Sequence, residues 1–229
     1  MYDQINTEIR KHDQDRLIFF ESVTWEVTGL GEKIGFTHAP GGEEFANRSV
    51  LAFHNSVLPD NFTEPYYYDK KMKEIKRLGV AGAVTETNNG EGEVKFTLAD
   101  EYGLSWMHWA YKRYSGWTWD SSGLFDSSCT SSNIYDCVHN STVATFARTY
   151  PRAVAGDSLE FQYNDTTGFA VLKYAPKFDC NLPTEIFASE TWVYTDGFEV
   201  EIEGELAPYA SWSSPKKDII HVTVSKEAL

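Results

Sequence analysis

The hydrophobic period of this chain changes near Asp157, and that change limits its fold more than any other feature. Before it, apolar runs alternate with segments of helical spacing. Arg16–Val23, Ser49–His54, Val80–Val84 and Trp106–Tyr111 read as short buried strands. Between them, Met72, Ile75 and Leu78 share one helical face, with Thr63 as N-cap, Pro65 in the first turn and Gly79 closing the helix. Val94, Leu98 and Tyr102 share the face of a second helix, which ends at Gly103. A further helix is expected over residues 1–13, with Tyr2, Ile5 and Ile9 on one face. Another starts near Asn140, with Val143, Phe146, Ala147 and Tyr150 on its face.

Strands alternating with helices imply parallel β/α units. After Asp157 the helical period disappears. Leu159–Tyr163, Phe169–Tyr174, Ile186–Ser189, Phe198–Glu203 and Ile219–Val224 alternate apolar and polar residues between Gly, Pro, Asn and Asp, which predicts a small antiparallel domain. A closed (β/α)₈ barrel needs eight strands. Four strands followed by a β-domain therefore predict the second half of a barrel over 1–156 and a β-sandwich over 157–229, an α/β chain overall.

Composition narrows the partners. With 20 basic against 34 acidic residues the net charge is -14, which repels phosphate backbones and argues against nucleic acid. It also argues against direct electrostatic docking on anionic membranes. No run of 18 apolar residues is present, as a membrane span would need. Four glycosylation sequons start at Asn47, Asn61, Asn140 and Asn164. Cys129 and Cys137 lie eight positions apart in a Ser-rich loop, well placed for a local disulfide that leaves Cys180 unpaired. Sequons and a Cys pair favour a secretory history, in the extracellular space or an endolysosomal lumen. The N-terminus has neither a basic nor an apolar leader region, so the expectation is that the front of the protein is missing.

Parallel strands bring their C-terminal ends to one face, where catalytic side chains of such barrels project. Those ends carry Glu21, His54, Glu86 and Trp109. A carboxylate ending a small apolar strand is costly unless hydrogen-bonded or used chemically, which singles out Glu86, although capping of the next helix is an equal reading. His54 alone reads more readily as structural, and Glu21 as a structural or supporting group. Of Trp106, Trp109, Trp117 and Trp119, some belong to a core and at least one to a cleft wall, with Tyr111 and Tyr114 nearby. Scattered histidines without ligand spacing predict no metal, and no Gly-rich phosphate loop or nucleophile elbow is present. No cofactor is expected.

The ordered stretches Leu17-Ile-Phe-Phe-Glu-Ser-Val, Gly35-Phe-Thr-His-Ala-Pro-Gly-Gly, Asn47-Arg-Ser-Val-Leu-Ala-Phe-His, Ala83-Val-Thr-Glu-Thr and Ser105-Trp-Met-His-Trp-Ala-Tyr-Lys together resemble glycoside hydrolase family 5, in its endoglycoceramidase branch. The resemblance covers most of residues 1–155. It implies a retaining glycosidase with Glu86 as nucleophile, His54 as the sixth-strand histidine and Trp109 flooring the reactive-sugar subsite. Tyr111 and Lys112 fall in the same motif and are expected to bind substrate. The implied partner is a glycosphingolipid or another β-glycoside, with membrane-surface contact through that substrate.

Two positions depart from the family. The Asn-Glu-Pro motif that carries its acid/base carboxylate is absent, so the chain is expected to lack that group and the first half of the barrel, and to be inactive alone. Ser56 stands where the family has a tyrosine, with Tyr66, Tyr67 or Tyr68 as candidate substitutes. A degenerate barrel that binds glycan or glycolipid without cleaving it is the alternative. A third reading is an extracellular α/β protein in which the motifs are chance.

Overall fold

The structure, a computed structural model, describes residues 1–22, 35–55, 63–87, 92–109, 111, 123–125 and 129–228. The chain divides into two compact units, Met1–Tyr111 and Lys112–Leu229.

The first unit is a four-stranded parallel sheet in the order β1-β2-β3-β4. Its strands are β1 (Ile18–Glu21), β2 (Ser49–Asn55), β3 (Ala81–Thr87) and β4 (Ser105–His108). Helix α1 (Tyr2–Arg10) precedes β1, α2 (Thr63–Leu78) links β2 to β3, and α3 (Gly92–Glu101) links β3 to β4. This is the expected β/α alternation, in the expected order. Phe20, Leu51, Phe53 and Val84 from the sheet pack with Tyr68, Ile75, Leu78, Leu98 and Ala99 from the helices. Each large apolar side chain so buried contributes about 1.5–3 kcal/mol. Tyr68 fastens α2 to α3: its ring stacks on Tyr102 at 6.1 Å, and its hydroxyl donates to the Lys95 carbonyl at 3.1 Å. Gly79 ends α2 in the left-handed conformation, φ 66°, where glycine carries no Cβ penalty.

In helix α1, Ile5 and Ile9 are exposed, and the buried positions are Asn6 and Arg10. The Arg10 guanidinium donates to the carbonyls of Asp13, Arg16 and Arg48 and lies over the Phe45 ring. These contacts use donors on both Nη atoms, which offsets part of the cost of burying the cation, while Nε is buried without a hydrogen-bond partner. Of the three apolar residues sharing that face in the sequence, Tyr2 packs against the core and Ile5 and Ile9 do not.

The second unit holds two antiparallel sheets. One has the order β5-β8-β10-β9, built from β5 (Tyr150–Ala153), β8 (Thr184–Phe187), β9 (Ala210–Lys216) and β10 (Ile219–Val224). The other is the hairpin of β6 (Gly156–Tyr163) and β7 (Ala170–Pro176). Helix α4 (Asn140–Phe146) ends earlier than its apolar spacing suggests, and Tyr150 begins a strand instead. Pro151 keeps Tyr150 out of the helix, because a residue before proline is driven out of the helical region. Pro151 and Pro215 both sit on edge strands of the four-stranded sheet, where a missing N–H is harmless.

The segment Phe198–Glu203 is not a strand. Its period of two has another origin: Phe198 packs against Tyr194 at 5.6 Å and Trp212 at 6.3 Å, while alternate residues face outward. The edge strand β9 is polar and proline-bearing, and was not visible in the sequence.

Candidate active site

The C-terminal edge of the parallel sheet gathers three of the four strand-end residues into one line. Ladder pairing runs Val50↔Ala81 through Phe53↔Val84, then slips by one residue so that His54 pairs with Glu86 and Thr85 is skipped. A slip of this kind re-aims the side chains that follow it. It sets the imidazole and the carboxylate side by side, with His54 Nδ1 at 3.6 Å from Glu86 Oε2. On the other side of the ring, Nε2 lies 3.5 Å from Glu21 Oε2 at the end of β1. Glu21, His54 and Glu86 thus form a carboxylate–imidazole–carboxylate row. Its side chains are partly open to solvent, at 26%, 23% and 30%, so the row can meet a ligand.

Backbone anchors hold the row from behind. The Tyr2 hydroxyl donates to the Glu21 carbonyl at 3.1 Å and accepts from the Glu21 N–H at 3.2 Å. Tyr67 donates to the His54 carbonyl at 2.9 Å. Among the three candidate tyrosines, Tyr67 therefore reaches the back of His54, Tyr68 points to α3, and the Tyr66 ring is exposed beneath Lys70. Nothing in the run Tyr66-Tyr67-Tyr68 separated them in the sequence. The support from Tyr2 was also missed, because it depends on how α1 and β1 pack, whereas Glu21 lies on the same sheet edge as His54, as its strand-end place predicts.

Trp109 follows β4 and donates its backbone N–H to the Thr87 carbonyl at 2.7 Å, so it stands beside the end of the Glu86 strand. The residue is 42% exposed. Tyr111 is exposed. Lys112, Ser56, Tyr114, Trp117 and Trp119 lie outside the described residues.

In the second unit, Cys129 and Cys137 form a disulfide with Cα atoms 5.5 Å apart, and Cys180 is an exposed free thiol. Asn47, Asn140 and Asn164 are all exposed, as glycan acceptors must be. Asn164 Oδ1 accepts from the N–H groups of Thr166 and Thr167 in a turn. Asn61 lies outside the described residues.

A parallel sheet with acidic and imidazole groups at its C-terminal edge, followed by an antiparallel β-domain, is a layout that suits a glycosidase. The comparisons with known proteins agree. Residues 148–228 match the glycoside hydrolase family 5 C-terminal domain. The chain is 30% identical over 229 residues to an endoglycoceramidase of Cyanea nozakii, a match covering 96% of this chain and 43% of that protein. It is 30% identical over 214 residues to an endoglycoceramidase of Hydra vulgaris, covering 88% of this chain and 38% of the relative. This chain thus spans less than half the length of those two curated relatives.

Among solved structures, endo-glycoceramidase II from Rhodococcus sp., captured as a lactosyl-enzyme intermediate, shares the fold with a TM-score of 0.66 at 18% identity, over 98% of this chain and 50% of that one. Cryptococcus neoformans sterylglucosidase 1 shares it more distantly, with a TM-score of 0.55 at 13% identity over 97% of this chain and 40% of that one. The resemblance read from the sequence is borne out: the chain is endoglycoceramidase-like, of the glycoside hydrolase family 5 type.

Proposed function

We propose that this chain is part of a retaining glycosidase that cleaves the β-glycosidic bond between glycan and ceramide in glycosphingolipids, with Glu86 as its nucleophile. The observation that carries the reading is the position of Glu86. It stands at the C-terminal end of β3, 3.6 Å from the His54 ring and partly exposed, in a chain 30% identical to endoglycoceramidases. In this reading the parallel unit is the second half of a (β/α)₈ barrel and the antiparallel unit its β-sandwich.

The Glu86 carboxylate attacks the anomeric carbon, and the bond to the ceramide oxygen breaks as a covalent glycosyl-enzyme forms. A second carboxylate, about 5–5.5 Å from Glu86, protonates the leaving oxygen and then activates water. We assign that group to polypeptide outside these 229 residues, since no Asn-Glu-Pro occurs within them. Trp109 floors the sugar subsite, with Tyr111 and Lys112 beside it. The substrate brings the protein to a lipid surface on the extracellular or luminal side, where Asn47, Asn61, Asn140 and Asn164 carry glycans.

The test uses the full-length protein and a fluoroglycoside whose good leaving group dispenses with the acid. Peptide mapping should find the sugar on Glu86, and Glu86→Gln should lower turnover by about 10⁴-fold or more. A label on another carboxylate, or an active Gln variant, would refute the assignment.

A further inference from the structure

We infer that Glu21 is a positioning residue for this site, holding the outer edge of His54 so that its inner edge faces Glu86. The inference deepens the proposed reading and rests on Glu86 being the reactive carboxylate.

An imidazole has two polar atoms, and here each faces a carboxylate oxygen: Nε2 lies 3.5 Å from Glu21 and Nδ1 lies 3.6 Å from Glu86. Each carboxylate thus faces a nitrogen of the ring rather than a C–H edge. A half-turn of the ring would exchange nitrogen for carbon at both places and lose both contacts together. Glu21 thus sets the rotation of the imidazole, and through it the edge presented to Glu86. Carboxylates that orient a working histidine act in this manner in metal sites and triads.

The mounting is firm. Tyr2 grips the Glu21 backbone by both its N–H and its C=O, and Tyr67 holds the His54 carbonyl. The remaining Glu21 oxygen, Oε1, is buried without a hydrogen-bond partner. A half-buried carboxylate with one oxygen unsatisfied is a cost to the fold. Its contact with His54 supplies a reason for it to be there. Glu21 touches the ring and not Glu86 itself, so its effect on chemistry passes through the orientation of His54.

The test combines spectroscopy with kinetics on the full-length protein. Histidine-specific ¹⁵N labelling and long-range ¹H–¹⁵N correlation report the protonation pattern of each ring, with His54 assigned through His54→Gln. Glu21→Gln should move both His54 ring-nitrogen resonances. It should also lower kcat by about 10–100-fold with KM changed by no more than about threefold. Glu21→Asp keeps the charge on a shorter arm and should recover part of the loss; it also serves if the Gln variant fails to fold. Unmoved His54 resonances in both variants would overturn the inference, as would a kcat equal to wild type. Fluoroglycoside labelling of another carboxylate would instead overturn the reading of Glu86, while a shifted His54 spectrum in Glu21→Gln would still stand.

Discussion

Asp218 and Glu190 clasp each other across 28 positions of chain. The Glu190 N–H donates to Asp218 Oδ1 at 2.7 Å, and the Asp218 N–H donates to Glu190 Oε1 at 3.1 Å. Asp218 also sits in the left-handed region, φ 65°, in the turn between β9 and β10, a conformation that short polar side chains tolerate best after glycine. The pair fastens that turn to the segment leaving β8. Asp218→Ala combines backbone strain with a lost acceptor, and should cost about 2–3 kcal/mol in chemical denaturation. Asp218→Gly relieves the strain but still loses the acceptor, and should cost about 1–2 kcal/mol. Asp218→Asn should stay within about 1 kcal/mol of wild type, since it keeps the acceptor. An Ala variant as stable as Asn would contradict this account.

Gly41 and Gly42 test steric fit against backbone strain at adjacent positions. Both have positive φ, 83° and 85°. A Cβ on Gly41 would collide with the Asn6 side-chain nitrogen and come within 2.8 Å of the Phe45 ring, whereas one on Gly42 would meet nothing within 4 Å. Asn6 is buried and cannot withdraw. Gly42→Ala should therefore cost only the left-handed penalty, about 1–2 kcal/mol. Gly41→Ala adds overpacking and should cost about 3 kcal/mol or more. Equal losses in thermal or urea unfolding would show that the contact around Asn6 gives way.

These sites mark where the sequence was legible. The parallel unit could be read because its buried strands are bounded by helices with clear apolar faces, and the ends of those strands named His54 and Glu86. They also placed Glu21 on the same face, but the contacts within the row could not be read. Those contacts depend on a register slip at Thr85, which leaves no trace in hydrophobic period, and on β1 lying beside β2, which brings Glu21 within reach of His54. Arg10 escaped for a related reason: its burial is stabilised by backbone carbonyls and a ring face, and a pattern of apolar residues cannot reveal such partners. In the second unit, β9 is an exposed, polar edge strand, while Phe198–Glu203 alternates for aromatic packing rather than for a ladder.

Three strands of the antiparallel sheet meet at Glu185. On β8, it takes His221 of β10 at 3.0 Å and Arg152 of β5 at 2.6 Å. The hydrogen bond from His221, supported by the charges of Arg152 and Lys216, holds the Glu185 carboxyl below its ordinary value of 4.5. The unfolded chain therefore binds the proton first as pH falls, so this contribution to stability is complete above 4.5 and is lost below it, as pH drops through the folded-state value. Glu185→Gln should melt lower than wild type at neutral pH, and the gap should narrow on acidification past 4.5. A gap that stays constant across the acid range would show that the carboxylate charge is not what His221 and Arg152 recognise.

Two tryptophans of one segment should separate core from cleft. The Trp106 ring lies 4.3 Å from Phe96 and packs against the core of the parallel unit. Trp109 is 42% exposed just after β4, beside the Glu86 strand. Trp106→Ala should cost about 3 kcal/mol of stability through the cavity it leaves. Trp109→Ala should cost clearly less than Trp106→Ala, since Trp109 is the more exposed of the two. In the proposed site the same ring is the platform for the reactive sugar, so its removal should raise KM for a glycolipid about tenfold, equivalent to about 1.4 kcal/mol of binding. Trp109→Phe keeps a flat face and should recover part of that loss. The assignment fails if Trp109→Ala unfolds the protein while KM in the surviving fraction is unchanged, because the ring would then be a piece of core rather than a wall of the cleft.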